Sequence, residues 1–322
     1  VFRQYDHEVG IRTAIKPGFD ASVLRLDNGK YLSVKIDGNP KHCYLNPRDG
    51  AIGCFEEACR NVVCTGATPI GMVDHLQFGN PEDPEIFWTF MESLEGLTNF
   101  AKFLKIPCVG GKVSFYNETP SGPIKPTPLI GVLGIINKTP LHPIPPKSGD
   151  YLVIVGSTKN ELGGSEYFEY IDDFIGGICP TVDFKSSKLN MLTVLSLIKQ
   201  DLIKSVHDCA KGGISIAVSE MSIFGGIGCN IDIGKAPSEK NLHSEQLLFS
   251  ESHSRYLLVV TKKNIKKVKQ ILTKKKNPFG VLGSFTGDQI SIKHKSKNLV
   301  KVNVDTAQRK YFNTLKEILD NG

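Results

Sequence analysis

Several absences narrow the field. The 322-residue sequence has 8 cysteines but no Cys-x-x-Cys pair, so the spacing of zinc ribbons and dithiol redox motifs is missing. The cysteines, at 43, 54, 59, 64, 108, 179, 209 and 229, sit mostly in apolar, helix-like or strand-like text. They read as buried reduced thiols rather than a disulfide framework. No apolar run approaches the roughly 18 to 20 residues that cross a bilayer as a helix. The opening residues lack the charged, apolar, small-residue order of a signal peptide, so a cytoplasmic setting and no membrane partner are expected. Internal repeats and low-complexity tracts are absent. No Ser/His/Asp or Cys/His nucleophile can be assembled from spacing, and His75 and His253 read as ordinary polar residues.

What is present resembles a globular protein of about two domains, at roughly 100 to 200 residues each. Lys+Arg outnumber Asp+Glu by 39 to 33, a formal net charge of +6. Much of the excess lies in residues 262–276 (KKNIKKVKQILTKKK), where Ile265, Val268, Ile271 and Leu272 recur at helical spacing. The lysines therefore read as the solvated face of an amphipathic helix, and no nucleic-acid partner is expected. The chain opens on Val1, and residues 1–10 (VFRQYDHEVG) read as text continued from something upstream.

Residues 139–149 (TPLHPIPPKSG) hold four prolines and a closing glycine, which block helix and strand ladder alike. This linker divides the chain into expected domains 1–147 and 148–322. Before it, strand-like runs at 21–26, 31–36 and 129–136 alternate with helical stretches at 51–64 and 85–103. After it, 151–155 and 256–260 read as strands and 190–199 and 214–222 as helices. The second domain is thus expected to be an α+β layer with helices packed on one face of its strands.

Some residues could carry chemistry. Glu57 and Asn61 are four apart on one helix face, where two oxygen-bearing side chains converge on a hard cation. Asp20, in PGFDA, and Asp208, in HDCAKGG, are candidate partners; Asp208 also suits a helix cap ahead of 214–221. Residues 161–165 (ELGGS) follow a strand, so Gly163, Gly164 and Ser165 suit either a phosphate-cradling turn or a tight connection. Residues 74–79 (DHLQFG) and 107–114 (PCVGGKVS) place polar groups just beyond apolar segments. There Lys112 offers a cation, and Gly110 and Gly111 permit close backbone approach.

These signals occur in one order, together with QYDHEVG (4–10), PGFDASVLRL (17–26), DGNPKHCYLNP (37–47), EACRNVV (57–63), DHLQFGNP (74–81), PCVGGKVSFYNE (107–118), TPLIG (127–131), LGGSE (162–166) and LFSESHSR (248–255). Over nearly the whole chain this resembles the second half of phosphoribosylformylglycinamidine synthase, within the aminoimidazole ribonucleotide synthetase-like superfamily. The resemblance implies an N-terminal β-barrel-forming domain followed by a C-terminal α+β layer domain. It also implies a magnesium-dependent ligase of purine biosynthesis. In that reaction ATP activates the formamide oxygen of formylglycinamide ribonucleotide through an iminophosphate, and ammonia from a glutaminase domain or subunit displaces it.

By residue-wise resemblance, Asp74, Gly111, Lys112 and Ser114 match positions that reach ATP and substrate across the two halves. Lys112 stands where many bacterial members have a metal-binding Asn, which argues against direct ligation there. Asp20, Glu57, Asn61 and Asp208 match the cluster holding Mg²⁺ at an auxiliary ADP or ATP. Gly163, Gly164 and Ser165 match a loop beside its phosphates. The family's catalytic histidines belong to the first half, an expected partner, so no catalytic residue is assigned here. The alternatives are a nucleotide-stabilised structural half without turnover and a self-sufficient homodimer of the superfamily.

Overall fold

The computed structural model describes residues 5–321. Val1 and Gln4, on which the expected upstream continuation and the first shared motif begin, lie outside the described residues.

The first sheet contains β1 (Thr13–Ile15), β2 (Ser22–Arg25), β3 (Tyr31–Asp37), β4 (Thr68–Gln77) and β5 (Cys108–Ser114). After a small ribbon of β6 (Glu118–Thr119) and β7 (Gly122–Pro123), it is completed by β8 (Thr127–Ile136). Its spatial order is β1-β2-β3-β8-β4-β5. Only β4 and β5 run parallel, because a helix carries the chain back between them, as parallel neighbours require. The sheet is open, and β5 is exposed along nearly its whole length. On the face turned from the helices, Ile36 and Val73 flank Gly131, and both are solvent-exposed.

Against the other face lie α1 (Pro40–Leu45), α2 (Pro47–Cys64) and α3 (Pro84–Leu104). Asn46 caps α2 by accepting from the Asp49 amide, and Pro47 fills the first turn, where no amide partner is needed. α3 begins on an Asp83 cap and ends on Lys105 in the left-handed conformation. α2 is buried on almost every side, so its charged residues must find partners inside the protein. Its small residues set its neighbours' distance: a Cβ on Gly50 would lie 2.4 Å from the Cys43 backbone nitrogen. Gly50→Ala should cost about 1–3 kcal/mol from overpacking, outweighing the roughly 1 kcal/mol that the change gains in an open helix. A lower urea midpoint at unchanged slope would report it; an unchanged midpoint would count against this packing.

The second sheet contains β9 (Tyr151–Val155), β10 (Ser205–Asp208), β11 (Cys229–Asp232), β12 (Tyr256–Val260), β13 (Phe279–Phe285), β14 (Gln289–His294) and β15 (Lys297–Asn303). Its order is β10-β12-β9-β13-β11-β14-β15. The chain also forms α4 (Glu166–Asp172), α5 (Phe184–Lys199), α6 (Gly213–Gly225), α7 (Ser244–Phe249), α8 (Ile265–Lys274) and α9 (Val304–Asn321).

Side chains alternate across this sheet. Val153, Val155 and Leu258 join α5, α8 and α2 in one core, while Leu152, Ile154 and Leu257 join α6, α7 and Val304 of α9 in another. Helices therefore cover both faces, which corrects the one-face expectation. The reason is in the strands themselves, since β9 and β12 are apolar on both sides.

α8 is amphipathic as read, with Val268 and Leu272 inward and its lysines largely outward. Seven cysteines are buried, and only Cys108 is exposed. The proline-rich stretch 139–147 has no regular structure, and it does more than connect, since three of its prolines line a cleft.

Candidate functional site

A cleft of about 500 Å³ opens where the two sheets' layers meet. It gathers Asp20, Glu57, Asn61 and Asp208, four residues far apart in sequence. Asp20 follows the turn at Gly18 (φ 114°) and stands just before β2. Glu57 and Asn61 project one turn apart from α2, and Asp208 ends β10. Pro143, Pro145 and Pro146 of the linker line it as well.

The Asp208 amide donates to Asp20 Oδ1 at 3.1 Å. Asn61 Nδ2 donates to Asp208 Oδ2 (3.2 Å) and to the Glu57 carbonyl (2.9 Å). Arg60 Nη2 lies 3.1 Å from Asp208 Oδ2 and 3.7 Å from Glu57 Oε2, and the same guanidinium pairs with Glu56. His207 is held at both ring nitrogens, Nδ1 2.8 Å from Asp20 Oδ1 and Nε2 3.0 Å from Glu220 Oε2. Asp208 was open to a capping role, but α6 begins on Gly212 instead.

Acidic groups crowd the cleft. Burial, then the Asp37 carboxylate, pushes the Glu57 carboxyl well above its usual range, with Arg60 opposing. Burial likewise raises Asp208 to about 6, against the attraction of Arg60. For Asp20 the upward push of burial is overcome by His207 and by the Asp208 amide, and its carboxyl falls below the ordinary value. Burial would lower His207, yet Asp20 and Glu220 hold the imidazolium well above its ordinary range. Lys35 is also raised, because Asp37, Asp208 and Glu57 outweigh its burial. Asp37 Oδ2 is buried with no hydrogen-bond partner among the described residues, although Lys35 Nζ stands 3.7 Å away.

This donor set fits a hard divalent cation. Oxygen ligands suit Mg²⁺, and a cation would relieve the repulsion that now favours protons on Glu57 and Asp208. Asp20, His207 and Asp208 bring possible ligand atoms within 4.8 Å of one another. His207 already spends both nitrogens on carboxylates, so it orients Asp20 rather than ligating. Asp37 lines the same cleft and acts electrostatically on Glu57. The sequence reading missed Asp37, Lys35 and Glu220; the aspartate closing a strand in the 37–47 motif was the only available signal.

The other sequence candidates lie elsewhere. Asp74 sits within β4, and Gly111 and Lys112 within β5, not beyond strand ends as expected. Asp74 faces Gly111 in register, and a Cβ there would lie 2.2 Å from Asp74 Oδ1; Gly111 therefore serves strand packing as well as any ligand. Ser114 closes β5, where its carbonyl accepts from Asn117 Nδ2 at 2.9 Å. Gly163, Gly164 and Ser165 are buried outside the cleft. The Gly164 amide donates to the Gly176 carbonyl and the Ser165 amide to the Leu162 carbonyl, while Ser165 Oγ caps α4.

Comparison with known proteins bears on the family and the fold. The sequence profile for AIR synthase related protein, N-terminal domain, matches residues 18–136, and that for the C-terminal domain matches 147–295. A phosphoribosylformylglycinamidine synthase subunit PurL from Thermococcus sibiricus is 41% identical over 321 residues, covering 99% of this chain and 44% of the relative. Among solved structures, Thermotoga maritima PurL complexed with FGAR has a TM-score of 0.80 at 19% identity, over 92% of this chain and 49% of the other. The same protein complexed with ADP has a TM-score of 0.77 at 19% identity, over 92% and 47%. At that identity the likeness concerns the fold. The chain spans about half the length of the curated relatives it matches.

Proposed function

The chain belongs to the AIR synthase related proteins, and from that premise we propose that it is the second half of a phosphoribosylformylglycinamidine synthase. In this reading its own cleft holds ADP or ATP with Mg²⁺, and its two domains, 1–147 and 148–322, complete catalysis beside a first half. The observation that carries the proposal is the convergence of Asp20, Asp37, Glu57, Asn61 and Asp208 in a cleft that prolines and the aromatic rings of Phe19, Phe224 and Tyr311 also line. Such a cleft is bipolar, suiting a ligand with a phosphate end and a flat ring.

Asp20, Asp37, Glu57, Asn61 and Asp208 would hold the magnesium, which when bound neutralises phosphate charge. Lys35 and Lys211, on the same walls, attract phosphate oxygens directly. His207 keeps Asp20 ionised and oriented. Gly163, Gly164 and Ser165, buried outside the cleft with the Gly164 and Ser165 amides already engaged, are not part of this proposal.

Asp74, Gly111, Lys112 and Ser114 are assigned to a second location, the exposed β4–β5 edge. An unpaired strand edge and an apolar sheet face need cover, and the first half would provide it. That half would bring formylglycinamide ribonucleotide and ATP against this edge, and a glutaminase partner would deliver ammonia.

Calorimetry of the 322-residue chain should show Mg²⁺-dependent ADP binding. Amidine should form only once a polypeptide bearing the first half is added. Turnover by this chain alone would overturn the half-enzyme reading in favour of a self-sufficient homodimer, and binding without turnover in the complete assembly would leave a structural nucleotide module.

A further inference from the structure

We propose that α9 supplies the surface on which the cleft recognises the flat ring of its ligand, and that Tyr311 selects a nucleotide over a bare phosphate. The inference rests on the nucleotide reading above and adds a residue that lies beyond the matched family regions, which end at 295.

Three large aromatic side chains, Phe19, Phe224 and Tyr311, line the cleft while remaining 42%, 39% and 47% exposed. They come from three separate segments and stack into one group. Phe19 and Phe224 have ring centroids 5.4 Å apart, and Phe224 and Tyr311 5.6 Å, the latter nearly perpendicular at 79°. Phe312 packs edge-on against both Phe224 and Tyr311, which fixes the plane of the tyrosine ring. Aromatic surface left open inside a cleft is unusual unless something covers it, and a planar base covers it well.

The tyrosine hydroxyl ties the ring to the carboxylates. It donates to Glu220 Oε1 at 3.3 Å. The other oxygen of Glu220 meets His207 Nε2 at 3.0 Å, and His207 Nδ1 meets Asp20 Oδ1 at 2.8 Å. A continuous chain of hydrogen bonds thus joins the aromatic end to the carboxylate end. Tyr311 is placed relative to the cation ligands, and a ligand bridging both ends must match that spacing. A cation and a short phosphate alone would engage only the acidic end; a nucleoside diphosphate would engage both.

The test compares Mg-ADP with Mg-pyrophosphate, a probe that lacks the base, on the full 322-residue chain. Tyr311→Ala should weaken Mg-ADP about tenfold or more, the loss typical when a base loses an aromatic platform, and leave Mg-pyrophosphate unchanged. Tyr311→Phe keeps the ring and should retain most of the preference for ADP. Equal weakening of both probes in the alanine variant would mean that Tyr311 acts only through Glu220 and the carboxylates, and would overturn the proposal. No change for either probe would overturn it as well.

Because both affinities are read on one preparation, partial loss of folded protein does not mimic the effect. Hydrogen exchange on the unaltered chain adds a measurement free of variants: α9 should gain protection with Mg-ADP and not with Mg-pyrophosphate, and equal protection would refute the assignment. Failure of the unaltered chain to bind either probe would remove the nucleotide reading itself, a different outcome from loss of ring selectivity.

Discussion

Arg60→Met should destabilise the protein by about 3–5 kcal/mol, the range for breaking a buried ion pair from one side. The guanidinium is 1% exposed and lies between Glu56, at 0%, and Asp208, at 6%. It also donates to the Cys209 carbonyl at 3.3 Å, so it ties α2 of the first layer to β10 of the second. Methionine fills similar volume and removes only the charge and its donors, leaving two carboxylates in the interior without their shared cation. Glu56 is now held at about 2, where burial pushing upward is overcome by Arg60 and His253.

The sign of the accompanying pH effect follows from that depressed value. A carboxyl lower in the folded than in the unfolded protein contributes stability that is present above its unfolded value of 4.5 and is lost as pH falls toward 2. Arg60→Met removes part of that contribution, so its penalty should be largest at neutral pH and shrink in acid. Urea unfolding at a series of pH values measures both. A loss below about 1 kcal/mol, the scale of an exposed pair, would contradict the buried bridge.

Glu57→Gln should act in opposite directions depending on whether a cation is present. Without divalent ions the variant should be more stable than the parent at neutral pH, because it removes a carboxylate that burial and Asp37 disfavour. With Mg²⁺ it should bind more weakly, by at least tenfold to a hundredfold, roughly the loss seen even for groups one layer behind a metal ligand.

Asp208 gives this prediction its pH window. Its carboxyl rises from 3.8 to about 6 on folding, so the folded chain binds the extra proton. Stability should therefore fall as pH rises from about 4 through about 6. For two pH units the change is roughly 3 kcal/mol. Asp20 and Glu56, shifted downward, have the opposite sign below 3.8 and 4.5, and His253, also shifted downward by burial, opposes the fall up to 6.5, so the Asp208 contribution is read as the difference between the parent and Asp208→Asn. Added Mg²⁺ should flatten the fall. A parent-minus-variant difference that rises steadily between pH 4 and 6 without divalent ions would show that the acidic groups do not repel one another as described.

Part of the site was legible before any coordinates. Helical spacing set Glu57 and Asn61 on one face of α2, and the shared motifs supplied Asp20 and Asp208 as companions. Asp37 was harder to see. It lies in a recognised motif, yet only the closing of β3 over α2 brings its carboxylate near enough to act on Glu57. Glu220 and Tyr311 had no local signal: a glutamate in an apolar helix and a tyrosine in a terminal one are ordinary. The paired glycines at 110 and 111 read as loop because glycine is common in turns, whereas Asp74 on the neighbouring strand explains at least Gly111.

Sequence alone determined local elements such as the continuously apolar β9 and β12 and the apolar stripe of α8, since apolar runs and helical spacing are properties of short segments. It also determined the family, through the order of motifs along the chain. Tertiary structure decided which residues share a site. Asp20 and Asp208 are separated by most of the chain, and their hydrogen-bonded contact depends on how one sheet's helix buries itself against the other sheet. It decided equally that residues 163–165 lie outside the cleft, where the Gly164 amide meets the carbonyl of Gly176, twelve residues on.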